Sequence, residues 1–345
     1  MFRIRILTDD FHTFRPYIKS YNDFKKRGIE LVDGSATQYD ITLIGHSLFQ
    51  DKKLGSFEKS LKKGLNYLKN IEGDYILVDG QDSHSLIGSY ETFVESNAIC
   101  MLKHSLLKDR SLYNEEWVGG RYYWGKSEDY GIPEQNYKPK DFDKYSEKII
   151  LSGTNWIGVP DIRWYNYSTA DKVFDVSAMF QYPHPDCHEM GLKPSQDFYY
   201  NEHRKPVVDM LHCSPFMVAK LYKGRRIPMN EYFKYIALCK VLVAPFGYGE
   251  MAPRDLESAQ LGSILIKPDM SHVDTYPNVY IDDNTYIACR HDYSDLEEKI
   301  EYAIENFDEI RDTFVMNMRY TYENAYHSTY LVDYTEDLFK KLGIL

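Results

Sequence analysis

The stretch Lys240–Asp269, KVLVAPFGYGEMAPRDLESAQLGSILIKPD, constrains the fold more than any other part of the chain. It opens on a short apolar run, Val241 to Ala244. A loop follows, punctuated by Pro245, Gly247, Gly249 and Pro253. Arg254 to Leu261 then carries a compact helical pattern closed by Gly262, and Ser263 to Ile266 is a second apolar run leading to Pro268. Strand, loop, helix and strand make one α/β crossover. Strands this short and this uniformly apolar fit a parallel sheet covered on both faces. Such sheets take their ligands outside the carboxyl ends of their strands, where the Pro245 to Pro253 loop is expected.

The chemistry of that loop suits the phosphates of a nucleotide. Glycine lets backbone approach a ligand closely. A helix start offers unpaired N–H groups and about half a positive charge. Arg254 falls in the first turn, where it works against the helix dipole, a placement that makes sense if an anion binds. Glu257 is three residues on, hence on the same helix face, and a carboxylate there can accept hydrogen bonds from ribose hydroxyls. A Gly/Pro turn with a solvated Arg–Glu pair accounts for the same residues, and the residues alone weigh the two readings evenly.

Three segments carry a resemblance: Gly247-Tyr248-Gly249-Glu250, then Arg254-Asp255-Leu256-Glu257-Ser258-Ala259, then Leu261-Gly262-Ser263-Ile264-Leu265-Ile266-Lys267-Pro268. Together they resemble the donor-site segment of GT-B glycosyltransferases, in particular the exostosin-like and group 1-like families. The resemblance is tight over this segment and holds elsewhere only by layout. It implies an α/β fold of two Rossmann-like, doubly wound domains facing across a cleft, with a C-terminal helix crossing back to the first. It implies a nucleotide-sugar in the second domain and the acceptor in the first. Arg254 would meet the diphosphate and Glu257 the ribose, with Gly247, Tyr248 and Gly249 around the donor. Animal exostosins carry membrane anchors. This chain departs from them, since no apolar run approaches the ~20 residues a span requires.

Composition agrees with that layout. A length of 345 residues suggests two domains of ordinary size, and 43% hydrophobic with 27% charged residues is globular. The net charge of −11 gives no electrostatic support for a nucleic-acid partner. The five cysteines are scattered without a CxxC pair, as expected of reduced thiols inside a cell. The chain opens directly into a strand pattern, so no signal peptide and a cytoplasmic location are expected.

Along the chain, Phe2 to Thr8, Ile29 to Val32, Asp40 to Gly45, Asp74 to Val78, Ala98 to Lys103 and Lys148 to Ser152 read as strands of a first domain spanning 1–160. Helices are expected around Pro16 to Lys26 and over Phe57 to Asn70, the latter amphipathic. Leu112 to Tyr145 has no clear period and reads as a long loop. Its Trp117, Tyr122, Tyr123 and Trp124 either stack on an acceptor sugar or anchor the loop to the domain. A linker from Val159 to Lys172 leads to a second domain over 161–325. That domain contains strands at Val173 to Phe180 and Phe216 to Leu221, and helices at Arg204 to Cys213 and Asn230 to Cys239. Short edge elements at Val279 to Ile281 and Thr285 to Ala288 and a long helix from Ser294 complete it. The 326–345 segment, through Tyr334 to Leu342, is the candidate for the helix that crosses back.

The catalytic chemistry is less determined. The transfer is expected to need no metal. His184, Asp186, Cys187 and His188 form the only cluster of ligand types and lack a second pair at zinc spacing. Arg254 and Arg226 would offset the leaving diphosphate, and Lys220 and Arg225, read with Arg226 as following a second-domain strand, are further basic candidates. An inverting transfer needs a base for the acceptor hydroxyl. Asp79 and Asp82, after a buried strand of the first domain, are the candidates, with Asp9, Asp10 and His46 as alternatives at neighbouring strand ends. An ordinary strand-ending turn explains Asp79-Gly80 as well, and a retaining transfer needs no such base. A Ser hydrolase elbow, G-x-S-x-G, is absent. The expected activity is therefore transfer of a sugar from a UDP- or GDP-sugar to a hydroxyl of a glycan or other acceptor, with no cofactor beyond the donor. A nucleotide-sugar epimerase or phosphorylase on the same fold, or a non-catalytic nucleotide-sugar-binding protein, remain the alternatives.

Overall fold

Short strands rich in Val, Ile and Leu recur in both halves of the chain and assemble into two separate parallel sheets. The computed structural model describes residues 1–49, 57–130, 136–153, 171–182, 194–223, 227–325 and 328–345. The chain divides into two compact units. One comprises Met1–Pro160, Val273–Pro277 and Asn324–Leu345, the other Asp161–His272 and Asn278–Glu323.

The first unit runs β1 (Phe2–Leu7), α1 (Phe11–Lys19), α2 (Tyr21–Lys26), β2 (Ile29–Val32), β3 (Ile41–Gly45), α3 (Phe57–Leu68), β4 (Tyr75–Asp79), α4 (Ser89–Val94) and β5 (Met101–Lys103). It continues through β6 (Ser105–Leu107), β7 (Trp117–Val118), β8 (Asn136–Tyr137), α5 (Phe142–Tyr145) and β9 (Ile149–Leu151). The main sheet has the order β2-β1-β3-β4-β5-β9, with every pairing parallel. Every residue of β4 is buried. Its side chains alternate, Ile76 and Val78 entering one core and Tyr75 and Leu77 the other. Both faces are covered, which is why the strand reads as a continuous apolar run.

The second unit contains β10 (Phe174–Tyr182), α6 (Pro194–Cys213), β11 (Val218–Lys223), α7 (Met229–Ala237), β12 (Cys239–Val243), α8 (Pro253–Gln260) and β13 (Ile264–Pro268). After β14 (Val273–Thr275), which belongs to the first unit, come β15 (Ile287–Cys289), α9 (Leu296–Glu305) and α10 (Phe307–Ala325). Its sheet has the order β11-β10-β12-β13-β15, again parallel. Numbered within its own unit, each sheet follows 2-1-3-4-5, the flavodoxin-like doubly wound order, and the first unit adds β9. Val241, Val243, Ile264 and Ile266 pack on one face of the second sheet and Leu242 on the other.

The last helix, α11 (Ser328–Lys341), belongs to the first unit. Leu331, Val332, Leu338 and Phe339 sit in one core with Ile4, Phe14 and Phe24. Tyr334 donates to Leu151 O at 2.5 Å. Among the described residues no helix is long and apolar enough to cross a membrane.

Several local expectations shift. The helix expected over Pro16 to Lys26 is two helices meeting at Ser20, whose N–H still bonds Pro16 O. The chain also returns to the first unit at Val273–Thr275, pairing antiparallel with β6, while Val279 to Ile281 forms no strand. A three-residue strand paired with a segment far back in the sequence leaves no periodic trace to read. Among its described residues the 112–145 region holds short turns, the two-residue β7–β8 ribbon and the single turn of α5, and Tyr113, Trp124 and Phe142 are buried. Those rings anchor the loop. The 159–170 part of the expected linker lies outside the described residues.

Candidate functional site

The glycine-rich loop follows β12, which lies beside β10 where the strand order reverses. This is the switch point at which doubly wound sheets bind ligands. Gly247 N–H donates to Gly249 O at 3.1 Å, closing the loop on itself. Neither glycine has a positive φ, so what glycine supplies here is the absence of a side chain. The buried Arg204 fixes the loop's start by donating from Nε to Phe246 O at 3.0 Å. At its end Pro253 opens α8 at a position where the missing N–H loses nothing. Gly262, at φ 72°, closes the helix in the left-handed conformation that glycine adopts freely.

Arg254 and Glu257 stand one helical turn apart on α8, both partly exposed. Arg254 Nη1 is buried and has no hydrogen-bond partner among the described residues. Glu257 Oε2 accepts from Tyr232 Oη of α7 at 2.6 Å. Burial raises the Glu257 pKa, and Tyr232 and Arg254 oppose the rise. Gly247 and Tyr248 are half-buried and Gly249 is buried.

Behind the helix lies a network the sequence reasoning missed. Asp255 Oδ2 accepts from Lys267 Nζ at 2.6 Å, Tyr280 Oη at 2.7 Å and Ala252 N at 3.1 Å. Lys267 also donates to Glu250 O at 2.7 Å. The signal was Lys267 itself, a lysine within the fully buried strand ILIKP, since buried lysines require partners.

Lys220 is inside β11 rather than after it, because pairing with β10 continues from Val218 through Leu221 to Lys223. Arg225 and Arg226 lie outside the described residues, as do His184, Asp186, Cys187 and His188.

In the first unit, β4 extends one residue further than expected, so Asp79 is the strand's last residue and only 1% exposed. Its Oδ2 accepts from Lys103 Nζ at 2.9 Å and Ser89 Oγ at 2.6 Å, and its Oδ1 from Gln81 N at 2.8 Å. Burial pushes its pKa up, but Lys103, His46 and Ser89 together outweigh that and hold it at about 2. Asp82 is exposed. Asp10 caps α1, accepting from His12 N at 2.9 Å and Thr13 Oγ1 at 2.7 Å. Asp9, exposed, accepts from Ser47 Oγ at 2.5 Å. His46 is buried against Gly88 O, and burial lowers its pKa despite Asp79.

No protein-family model and no curated protein sequence matches the chain. Solved structures do. The sucrose-phosphate synthase of Thermosynechococcus elongatus is similar at 11% identity, with 99% of each chain covered and a TM-score of 0.50. An alpha-glucosyltransferase solved with UDP and a mismatched 13-mer DNA has 13% identity over 99% of this chain and 100% of that one, with a TM-score of 0.48. Anabaena HepE, solved with UDP-glucose, has 10% identity over 99% and 100%, with a TM-score of 0.46. At such identities the likeness speaks to the fold. The chain has two Rossmann-like domains, one on a six-stranded and one on a five-stranded parallel sheet, and its fold is that of GT-B glycosyltransferases.

Proposed function

We propose that this chain is a glycosyltransferase that binds a nucleoside-diphosphate sugar on its second unit and moves the sugar to an acceptor hydroxyl. The observation that carries the reading is Arg254 Nη1, buried in the first turn of α8 with no hydrogen-bond partner among the described residues. A buried donor left unsatisfied costs about 1–3 kcal/mol, more when charged. A diphosphate oxygen at the helix start supplies the missing acceptor, and the α8 N–H groups supplement it. Glu257, with one oxygen held by Tyr232, accepts from ribose hydroxyls through the other.

In the transfer, the bond between the anomeric carbon and the β-phosphate oxygen breaks and the acceptor oxygen bonds to that carbon. The leaving diphosphate keeps the electron pair, and Arg254 offsets its charge. For an inverting outcome a carboxylate of the first unit takes the hydroxyl proton. Asp79 is poorly suited, since both its oxygens are engaged and a pKa of about 2 makes it a weak base. Asp82, exposed three residues further on, is the base in this reading. The acceptor is a glycan or similar hydroxyl compound, and the setting is cytoplasmic. The transfer is metal-independent in this reading; the D-x-D triplet of the chain, Asp141-Phe142-Asp143, opens the short helix α5, whose Phe142 is buried.

The test is incubation with UDP- and GDP-sugars, with and without simple sugar acceptors, in excess EDTA or in added magnesium or manganese. Slow nucleotide release without acceptor, faster with acceptor and equal under both metal conditions, is expected. Binding without turnover would make the chain a nucleotide-sugar-binding protein. Interconversion of the sugar without transfer would make it an epimerase.

A further inference from the structure

We infer that Lys267 keeps the start of α8 receptive to an anion by neutralising Asp255, an acidic side chain lodged in that helix's own first turn. The inference rests on the donor-site reading above. Asp255 directly follows Arg254 and accepts from Ala252 N at 3.1 Å. For an isolated helix this carboxylate is favourable. For a diphosphate arriving at the same turn it is a like charge in a low-dielectric setting, where repulsion is poorly screened.

Lys267 answers that charge from the strand behind. Its side chain is fully buried and its Nζ lies 2.6 Å from Asp255 Oδ2. Tyr280 Oη donates to the same oxygen at 2.7 Å. Nζ also sits 4.5 Å from the centroid of the Tyr280 ring and 5.5 Å from that of Phe246, so the ring faces add to the cation's stabilisation. Its bond to Glu250 O, 2.7 Å, ties the loop that leads into α8 to the same ammonium. Burial lowers the Lys267 pKa, and Asp255 is the main influence against that fall. With the pair neutral, Arg254 is left as the positive charge of the first turn, balanced only in part by Glu257 one turn on. Lys267 touches no ligand in this arrangement; it is a positioning residue that acts through Asp255 and the loop.

The experiment compares UDP with uridine, and GDP with guanosine, by calorimetry on the parent, Lys267→Met and the double variant Asp255→Asn with Lys267→Met. In Lys267→Met, affinity for the diphosphates should fall on the order of tenfold to a hundredfold, the scale of one uncompensated charge roughly 6–12 Å away at an effective dielectric of about 20. The nucleosides, which carry no phosphate, should change far less. The double variant keeps the shape without either charge and should recover most of the diphosphate affinity. If Lys267→Met does not fold, Asp255→Asn replaces it, and tighter diphosphate binding at unchanged nucleoside binding is then expected. Equal loss for diphosphate and nucleoside, or a folded double variant as weak as the single one, would overturn the inference and leave Lys267 a packing residue. A parent that binds neither UDP nor GDP would overturn the donor-site reading and this inference with it.

Discussion

The two units share one strand order, and each buries a lysine–aspartate pair at the carboxyl end of its sheet, but the two pairs are finished differently. In the first unit Asp79 has both oxygens engaged, by Lys103 and Ser89 on one and by the Gln81 N–H on the other. In the second, three donors converge on Asp255 Oδ2, while Asp255 Oδ1 and the Nη1 of the adjoining Arg254 are buried without a hydrogen-bond partner among the described residues. A closed pair holds a fold in place and has nothing left to offer a ligand. An incompletely satisfied cluster is costly in the empty protein and becomes reasonable once a ligand completes it. Buried ion pairs by themselves are weak evidence for either role. The unpaired atoms make the difference.

The largest effect expected from this contrast concerns the base. If Asp79 belongs to the fold, chemistry falls to the exposed Asp82. Asp82→Asn should lower turnover by about 10²–10⁴-fold with donor affinity unchanged in calorimetry. A loss of only a few-fold would pass the role to Asp9, whose exposed carboxylate accepts from Ser47 Oγ.

Next comes stability. Lys103→Met strands Asp79 in the core, and breaking a buried pair from one side costs about 3–5 kcal/mol. Adding Asp79→Asn should restore much of that loss, as read by the urea midpoint at constant m-value. The sign of the pH dependence follows from the depressed Asp79 pKa. The pair's contribution is present above the ordinary carboxylate value of 3.8 and is lost as pH falls towards about 2. A parent whose stability is flat through that window would show that Asp79 is not held as described.

On the donor side, Arg254→Ala should weaken UDP or GDP binding by about 1.5–3 kcal/mol, the scale of a charge-assisted hydrogen bond. The melting point of the empty protein should hold or rise, because the substitution removes an unsatisfied buried donor. That opposition of binding and stability is the sharpest separation from Lys103→Met. A variant that melts earlier and binds nucleotide normally would make Arg254 a structural residue.

How much of this was legible beforehand depended on whether the signal was local. The strands of both sheets announced themselves as apolar runs, and the unit from β12 to β13 was readable because turn, helix start and helix stop each have their own residue chemistry. Arg254 and Glu257 stand out as candidates for the same reason. The sequence puts Asp79 after the strand, as a candidate base or a turn residue, because one strand residue more or less cannot be told from DYILVDG, yet that single residue decides whether its carboxylate is in the core. Lys103, Lys267 and Tyr280 were passed over because their partners lie 12 to 25 residues away in sequence. The return of Val273–Thr275 to the first unit is the extreme case, since it pairs with residues 105–107.

The smallest predicted effect tests how the open site holds its acid. Tyr232 donates to Glu257 Oε2, and burial raises the Glu257 pKa while this bond and Arg254 oppose the rise. Ribose hydroxyls bind best to the carboxylate, the stronger acceptor. Protonation therefore competes with binding, and nucleotide affinity should fall as pH drops through the raised Glu257 pKa. Tyr232→Phe removes a donor that favours the charged form. Its pKa moves further up, so the fall in affinity should begin at higher pH than in the parent. Well above that pKa, where the carboxylate is ionised in both proteins, the remaining loss should be about 1 kcal/mol or less, that of one ordinary hydrogen bond. Ribose-free pyrophosphate is the control, because it makes no use of Glu257 and should show the same pH profile in both proteins. If UDP and pyrophosphate respond to pH alike, Glu257 does not meet the ribose, and the open side of the contrast reduces to Arg254 alone.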